Sequence, residues 1–257
     1  MQPDVAQQLI ELNKRFYQKL ASPFSATRGR LQPGVLRVLE NVPGDAAVLD
    51  LGCGNGGVAK ELIRRGHRGR YVGLDFSAEL LEKAMANVPS PRSNVEFFQA
   101  DLSSPEWEEL VNKSKFDFIF TYAVLHHLPS HEVRLGFLKQ VKSLISPDGK
   151  FVLSNWQFLN SLRLKARIQP WEKIGLSDKQ IDEGDYLLDW RGGGEGLRYV
   201  HHFDRDELSA LAAENGFRVS GEFEADGKSG NLALYQTWVK EGSNGEFPFP
   251  NYQKSGY

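Results

Sequence analysis

The 257-residue chain has little cysteine, no long apolar run and almost no net charge, and each of these absences excludes or disfavours a class of protein. Its one cysteine, Cys53, cannot form an internal disulfide, which fits a reducing compartment. No apolar run approaches the roughly 18–20 residues that cross a bilayer, and the N-terminal segment lacks the apolar core of a signal peptide. With 31 basic and 33 acidic residues the net charge is −2, which excludes a polyanion binder acting through bulk basicity but leaves room for a local basic patch. We therefore expect a cytoplasmic protein with no membrane partner.

The middle of the chain alternates short apolar runs with amphipathic stretches. The runs are rich in Val, Ile, Leu and Phe and are bounded by Gly, Asp, Ser or Pro, which is typical of buried strands. They lie at Ala47–Gly52, Arg70–Phe76, Val95–Asp101, Phe116–Ala123 and Lys150–Trp156. The stretches between them predict helices at Gly57–Arg65, Ser77–Asn87, Ser104–Val111 and Ser130–Ile145. Strand alternating with helix predicts a parallel α/β sheet that is covered on both faces.

The last third of the chain has a different pattern. Gln157–Ile174 predicts a helix, and Gly175–Gly196 is acidic and rich in glycine. A capped amphipathic helix is predicted at Asp204–Asn215. The two strands that follow, Phe217–Ala225 and Asn231–Lys240, are joined by a Gly-rich turn, so we expect a terminal antiparallel hairpin.

The strongest functional signal is the segment VLDLGCGNGG at Val48–Gly57. A predicted buried strand runs into closely spaced glycines and a predicted helix follows at once, so the backbone can approach a ligand closely beside free helical N–H groups. Asp50 precedes the glycines, and Asp75, in the next strand, follows Gly54 by 21 residues, the usual distance for a carboxylate that holds ribose hydroxyls. Asp101 ends the third strand in the same way. The joint spacing of these acids favours a ligand that contains ribose.

These segments resemble the successive motifs of the class I S-adenosylmethionine-dependent methyltransferases. DLGCGNGG, GLDFS and QADL match the motifs that bind the cofactor, and VLHHL and LISPDGKFVLS match the later strands. The resemblance covers about Ala47 to Trp156. It implies a Rossmann-like, seven-stranded α/β sheet of order 3-2-1-4-5-7-6, with strand 7 antiparallel and helices on both sides, which agrees with the predicted terminal hairpin.

The resemblance also implies which residues bind S-adenosyl-L-methionine. Asp50 would lie near the amino group of its methionine part, which the glycine loop surrounds. Asp75 would bind the ribose hydroxyls, Phe76 would stack on the adenine, and Asp101 would accept the adenine amino group. The full expected set is Asp50, Gly52, Cys53, Gly54, Asn55, Asp75, Phe76, Asp101, Leu102 and Ala123.

One domain with an insertion is the simplest organisation that fits this pattern. We expect it to span residues 1–240, with N-terminal helices in 1–42, the cofactor-binding half in 47–156, a substrate-side insert in 157–203, and a terminal helix and hairpin in 204–240. The tail, 241–257, has no periodicity and is expected to be disordered.

A nicotinamide-binding dehydrogenase is the rival interpretation of a glycine-rich loop after a strand. Its loop follows the pattern G-x-G-x-x-G, whereas this chain has G-C-G-N-G-G with an acid before it. A carboxylate at Asp50 would repel the pyrophosphate of a dinucleotide and attract a cationic amino group. The residues therefore favour a methyltransferase.

The histidines do not predict a metal site. His127 and His131 are four residues apart, but Pro129 lies between them and makes one continuous helix face implausible. His202 and Asp204 fit part of a two-histidine, one-carboxylate iron site, which needs a later histidine, and none follows His202. We expect no metal cofactor.

A second resemblance covers the ends of the chain. FSATRGRLQPGV (Phe24–Val35), AVLHHL, LRYVHHFDRDEL (Leu197–Leu208) and GNLALYQTWVK (Gly230–Lys240) resemble segments of the tRNA wobble-uridine carboxymethyl methyltransferases. Those enzymes esterify the carboxylate of 5-carboxymethyluridine, and the resemblance implies tRNA as a partner. Some of them need a small zinc-binding activator subunit, which makes such a subunit a candidate partner. The chain departs from the group's Arg-Tyr-Tyr-His and Gly-Glu-Leu pattern at Val200, at its second histidine and at the missing glycine.

A carboxylate acceptor is already ionised at neutral pH, so it needs orientation and hydrogen-bond donors rather than a general base. Arg28 could equally bind the carboxylate of the cofactor. An arginine can also form only a surface salt bridge, and Tyr199 could equally pack in the core. His127 is expected to be a packed, hydrogen-bonded histidine. The candidate residues on the acceptor side are Arg28, His126, Arg198, Tyr199 and His201.

Charge gives partial support for an RNA acceptor. Residues 1–42 carry six basic and three acidic residues, and residues 157–175 carry four basic and one acidic, so each segment has a balance of +3. If both segments cap the same cleft, they could follow a phosphate backbone, with Trp156 and Trp171 available for stacking. The acidic insert at 177–195 opposes this interpretation. A small-molecule or lipid-like acceptor, and a module that binds the cofactor without turnover, stay open as alternatives.

Overall fold

The computed structural model describes residues 1–26, 30–88, 94–112, 114–191 and 194–243, and the side chains of 20–26 are outside this description. The expected role of Arg28 and the expected disorder of the tail from residue 244 onward therefore lie outside the described residues.

The helices and strands follow the alternation that the sequence predicts. The helices are α1 Pro3–Ala26, α2 Pro33–Leu39, α3 Gly57–Arg64, α4 Ala78–Asn87, α5 His131–Leu144, α6 Leu162–Lys165 and α7 Arg205–Glu214. The strands are β1 Val48–Leu51, β2 Tyr71–Asp75, β3 Val95–Gln99, β4 Phe116–Tyr122, β5 Ile145–Trp156, β6 Ile168–Gln169, β7 Asp185–Trp190, β8 Gly196–His201, β9 Phe217–Ala225 and β10 Ala233–Lys240.

The main sheet confirms the predicted Rossmann-like topology. Within the described residues, seven strands pair in the order β3-β2-β1-β4-β5-β10-β9. β1 pairs in parallel with β2 and β4, whereas β10 is antiparallel to both β5 and β9. The carboxyl ends of the five parallel strands therefore meet at one edge, where open α/β sheets bind ligands.

Helices cover both faces of this sheet. Successive side chains of a strand point to opposite faces, so Leu49 of β1 packs with α5 and α7, whereas Val48 packs with α2 and α3. All four residues of β1 are buried. This explains why the central strands are apolar throughout rather than alternating.

The substrate-side insert differs from the prediction. The single helix predicted over Gln157–Ile174 is wrong, because this segment holds short helical turns, the four-residue α6 and strand β6. A second, three-stranded antiparallel sheet, β6-β7-β8, forms from it and from the acidic, Gly-rich stretch. Leu187 and Leu188 of β7 are buried in different apolar clusters on the two faces of this sheet. Because both faces are covered, the strand lacks the alternating pattern that would have revealed it.

The sequence also overestimates one helix. The helix predicted at Ser104–Val111 is a short 3-10 helix at Trp107–Val111. Trp171, expected to be available for stacking, is 6% exposed and packs in the core formed by α1 and the small sheet.

Helix α1 is attached to the small sheet through Asn13. The buried Asn13 side chain accepts a 2.8 Å hydrogen bond from the Tyr199 N–H and donates one of 3.2 Å to the Tyr199 carbonyl. Val5 and Leu9 of α1 pack against Leu187 on the same face of the small sheet. This packing holds the next turn of α1 over the carboxyl edge of the main sheet. None of the helices in the described part of the chain is both long enough and apolar enough to cross a bilayer.

Candidate active site

A cleft of about 680 Å³ opens at the carboxyl edge of the main sheet, and α1 and the insert form its other walls. Its volume lies within the roughly 300–1,000 Å³ of small-molecule sites. Every residue that the sequence predicts to bind the cofactor lines it: Asp50, Gly52, Cys53, Gly54, Asn55, Asp75, Phe76, Asp101, Leu102 and Ala123. The structure thus places the whole predicted set in one cavity.

The loop after β1 has a backbone that requires glycine. Gly52, Gly54 and Gly56 have φ of +81°, +56° and +75°, a region that other residues rarely adopt. A Cβ on Gly52 would also collide with the side chain of Val124. The glycines therefore allow the chain to turn sharply beneath the cleft and to start α3 at once.

Asp75 connects this loop to the next helix. One of its oxygens accepts a 2.8 Å hydrogen bond from the Gly54 N–H, and the other accepts one of 2.9 Å from the Ser77 N–H. Burial raises the pKa of Asp75, although these backbone hydrogen bonds act in the opposite direction. The carboxylate consequently positions the glycine loop as well as lining the cleft.

Asp50 is a buried carboxylate beneath the loop, with 2% of its surface exposed. The Tyr71 hydroxyl donates a 2.6 Å hydrogen bond to it. Burial raises the pKa of Asp50 to about 7, the hydrogen bond from Tyr71 lowers it, and repulsion from Asp75 raises it further. Among the described residues no basic side chain pairs with Asp50, so a cationic group entering the cleft would stabilise its ionised form.

Lys14 of α1 lies at the far end of the cofactor side and was missed by sequence reasoning. Its Nζ is 2.8 Å from Oδ2 of Asp101 and 5.8 Å from the ring centroid of Phe76. Burial alone would raise the pKa of Asp101, but the hydrogen bonds from Lys14 and Ser103 outweigh it and lower this pKa. The only signal for Lys14 in the sequence is the basic balance of the N-terminal segment, because nothing local links it to a residue so far along the chain.

Arg198 of β8 is one of two predicted acceptor-side residues that line the cleft, the other being His126. Only 4% of it is exposed, and its guanidinium carbon lies 4.8 Å from the ring centroid of Trp156, 5.5 Å from that of Trp190 and 5.4 Å from that of Phe16. In the part of the chain that the structure describes, no carboxylate pairs with this guanidinium, and its buried Nε has no hydrogen-bond partner. The rings stabilise the cation, but a buried charge without a counterion still favours an anionic ligand.

The structure does not bring Tyr199 and His201 into the cleft with Arg198. Successive residues of a strand face opposite sides, so Tyr199 and His201 point to the other face of the small sheet. The Tyr199 hydroxyl donates to Asp185 at 2.6 Å and accepts from Arg134 at 2.9 Å. The expectation that these two side chains hold the acceptor is therefore corrected.

His201 is instead buried and hydrogen-bonded to two carboxylates. Its Nδ1 is 2.6 Å from Oδ1 of Asp185, and its Nε2 is 2.8 Å from Oε1 of Glu207. Both partners are carboxylates, so both ring nitrogens donate and the ring is an imidazolium. Burial lowers the pKa of His201, but the hydrogen bonds to the two carboxylates outweigh it and raise this pKa.

The two histidines after β4 both line the cleft. His126 is 2% exposed, and its Nδ1 accepts a 3.4 Å hydrogen bond from the Trp156 N–H. His127 donates from Nδ1 to the Tyr199 carbonyl at 3.1 Å, so its Nε2 accepts from the Tyr17 hydroxyl at 2.6 Å. This confirms that His127 is packed and hydrogen-bonded. Over the described ranges, no group of three or more His, Cys, Asp or Glu side chains could hold a metal ion.

Residues 24–220 match the Methyltransferase domain family, and the chain belongs to this family. An S-adenosylmethionine-dependent methyltransferase from Methanosarcina mazei shares the fold with a TM-score of 0.59, at 24% identity over 82% of this chain and 98% of that one. The class and the cofactor predicted from the sequence, a methyltransferase that depends on S-adenosylmethionine, are confirmed.

Two curated relatives are also similar. A methyltransferase from Encephalitozoon cuniculi is 28% identical over 206 residues, which cover 80% of this chain and 86% of the relative. The tRNA (carboxymethyluridine(34)-5-O)-methyltransferase ALKBH8 of Macaca fascicularis is 31% identical over 143 residues, which cover 54% of this chain but only 19% of that enzyme. The match with the latter is therefore limited to a minor part of a much longer protein.

Proposed function

We propose that the protein transfers a methyl group to a carboxylate, and that this carboxylate belongs to a 5-carboxymethyluridine-like wobble nucleotide of tRNA. Arg198 carries the proposal, because it is a buried guanidinium in the cofactor cleft with no carboxylate partner among the residues described. A carboxylate acceptor would complete this pair. The relative from Macaca fascicularis, which is named for the wobble-nucleotide reaction, supports the choice of nucleotide.

Methyl transfer to a carboxylate requires that the acceptor be oriented, and it requires no proton transfer. When bound, S-adenosylmethionine supplies an electrophilic methyl group on a sulfonium sulfur. A carboxylate has a pKa of about 4, so its attacking oxygen is already ionised at neutral pH and no residue has to remove a proton. The planar guanidinium of Arg198 can offer parallel N–H donors to both carboxylate oxygens. The ring centroids of Trp156 and Trp190 lie 4.8 Å and 5.5 Å from the guanidinium carbon, and His126 lines the same cleft.

The cofactor side uses residues that the geometry has already brought together. Asp50 would receive the amino group of the methionine part, Asp75 the ribose hydroxyls, and Asp101 the adenine amino group. Asp101 already forms an ion pair with Lys14. When adenine is bound, Lys14 would therefore either move away or bind the Asp101 carboxylate together with the adenine amino group.

Methyl transfer from labelled S-adenosylmethionine to total tRNA tests the proposal, with and without mild alkali that hydrolyses esters. We expect label in tRNA that alkali releases. A parallel reaction contains a small activator subunit of the kind used by the wobble-uridine enzymes. Arg198→Ala should abolish the label and keep cofactor binding by calorimetry. Alkali-stable label, or tRNA that stays unlabelled in both reactions, would contradict the proposal.

A small-molecule carboxylate is the second candidate, because the cleft has the volume of a small-molecule site and Arg198 lies deep within it. The small-molecule fraction of a cell extract tests this candidate under the same conditions. Activity on RNA should fall steeply as salt rises, whereas activity on a metabolite with few charges should not.

A further inference from the structure

Three more arginines line the same cleft as Arg198. Arg30 lies just before α2, Arg163 lies in α6, and Arg167 lies between α6 and β6. No side-chain hydrogen bond or ion pair joins any of the three to another described residue. Outside the cleft, some arginines have carboxylate partners (Arg64, Arg65, Arg70, Arg191 and Arg205) and others, within the described residues, do not (Arg15, Arg68 and Arg218), so it is their position at the cleft that sets these three apart.

The acids of the cleft do not neutralise these arginines. Asp101 pairs with Lys14, and Asp189 pairs with Arg191 at 2.6 Å. Asp226 accepts hydrogen bonds from the Gly34 N–H at 2.9 Å and the Tyr235 hydroxyl at 2.6 Å. The neutral donors leave the charge of Asp226 in place, but Asp101 and Asp189 already have cationic partners, and among the described residues no acid of the cleft forms an ion pair with Arg163 or Arg167.

The arginines of the insert lie at different depths. Arg198 is buried, Arg167 is partly exposed, and Arg163 is exposed. One deep guanidinium is enough for the carboxylate of a small acceptor. Further guanidiniums toward the mouth fit a ligand whose negative charges continue outward from the reacting group, as the phosphates of an RNA strand do when one nucleotide is turned into a pocket.

We propose that Arg163 and Arg167 bind backbone phosphates next to the acceptor nucleotide of an RNA, so that the start of the insert is the RNA-binding edge of the cleft. This rests on the proposed function for the identity of the acceptor. Arg198 recognises the reacting carboxylate, and the two outer arginines position the strand that carries it. Phosphate contacts of this kind supply affinity and register rather than base specificity.

Helix α6 offers a matched control. Lys165 carries the same charge and is exposed, but it does not line the cleft. Arg163→Gln, Arg167→Gln and Lys165→Gln thus remove one positive charge each from the same short segment. If the two arginines form a specific phosphate site, only their variants weaken RNA binding. If the segment is a diffuse basic surface, all three variants weaken it equally.

The test is the binding of a fluorescently labelled tRNA anticodon stem-loop to the full chain, measured by anisotropy over a series of salt concentrations. Each arginine variant should weaken binding about tenfold at low salt and reduce the slope of log K against log salt by about 0.7–0.9. Lys165→Gln should match the parent protein. Calorimetry should show unchanged S-adenosylmethionine binding in all three variants, which demonstrates that they are folded.

The outcomes separate this inference from the proposed function. If tRNA is never methylated but the arginine variants weaken stem-loop binding as stated, the inference holds and the proposed acceptor is wrong. If tRNA is methylated but the arginine variants bind like Lys165→Gln, the inference is wrong. Stem-loop binding by the parent protein that does not weaken as salt rises also overturns it, because contacts to backbone phosphates release counterions and therefore depend on salt.

Discussion

The Tyr71 hydroxyl donates a 2.6 Å hydrogen bond to Asp50, and this phenol and carboxylate are both buried beneath the glycine loop. Tyr71 stabilises the ionised carboxylate, but burial has the larger effect and raises the pKa of Asp50 to about 7. The charge on Asp50 therefore changes within the neutral range, which has consequences for both cofactor binding and stability.

The affinity for S-adenosylmethionine should fall by about tenfold per pH unit below the Asp50 pKa of about 7. The reason is that the cationic amino group of the cofactor binds the ionised carboxylate, which acid removes. Calorimetric titrations from roughly pH 5.5 to pH 8.5, a range that brackets this pKa, would show the change in affinity. Asp50→Asn should bind weakly without this break in the profile, and a flat profile for the parent protein would rule out the assigned contact.

Asp50→Asn should also stabilise the cofactor-free protein at alkaline pH. The folded pKa lies above the unfolded value of 3.8, so the unfolded chain loses its proton first and the free energy of unfolding falls as pH rises from about 4 to about 7. Above that range the neutral amide avoids a cost on the order of 2–4 kcal/mol. Urea unfolding at acid and alkaline pH measures the difference, which should disappear in acid. An equal effect at both pH values would show that packing, and not charge, is responsible.

Asp75→Ala should abolish measurable cofactor binding. The substitution removes the carboxylate expected to hold the ribose and also leaves the Gly54 and Ser77 N–H groups without their acceptor. Hydrogen bonds to a charged group contribute about 1.5–3 kcal/mol each, so an affinity loss of at least about 100-fold is expected. Asp75→Asn keeps one acceptor oxygen and should be less severe. Calorimetry on both variants tests this order, and tight binding by Asp75→Ala would refute the role.

Arg198→Lys and Arg198→Ala should separate charge from geometry on the acceptor side. Truncating one member of a buried charge pair should lower kcat/KM by about 100-fold or more in the alanine variant. Lysine keeps the charge but lacks the planar fork, so it should recover only part of the activity. Cofactor affinity should be unchanged in both. Full activity of Arg198→Ala on the true acceptor would show that Arg198 does not bind the acceptor.

His201→Ala should reduce stability rather than act on the acceptor directly. It removes one of the two cations beside Asp185, the other being Arg134 at 3.5 Å, at a cost on the order of 1–3 kcal/mol in the free energy of unfolding. Because the pKa of His201 is raised on folding, this contribution is present below the unfolded pKa and is lost as pH rises through the folded one. The neighbouring His202, whose pKa burial lowers, is the control. Denaturant unfolding of His201→Ala and His202→Ala over a series of pH values should show that the loss in His201→Ala shrinks as pH rises, whereas any effect of His202→Ala should change with pH in the opposite direction.

The cofactor side could be predicted from the sequence because its signals are local. A strand, a glycine turn and a helix start follow each other directly at Val48–Gly57, and Asp75 lies at a distance set by one strand–helix unit. The terminal hairpin was predictable for the same reason, since a short Gly-rich turn brings adjacent strands together. The order of the sheet came from the resemblance that these motifs established.

The acceptor side could not be predicted in the same way, because packing between distant segments decides it. Arg198 faces the cleft and Tyr199 faces the core, a choice made by the pairing of β8 with β7 and not visible in the residue types. Lys14 meets Asp101 because Asn13 attaches α1 to the backbone of Tyr199. The sequence by itself determined the methyltransferase class and named the residues that the structure brings together around the glycine loop. Only the tertiary structure decided which cation is buried without a counterion, because burial and charge pairing depend on which faces of remote elements meet.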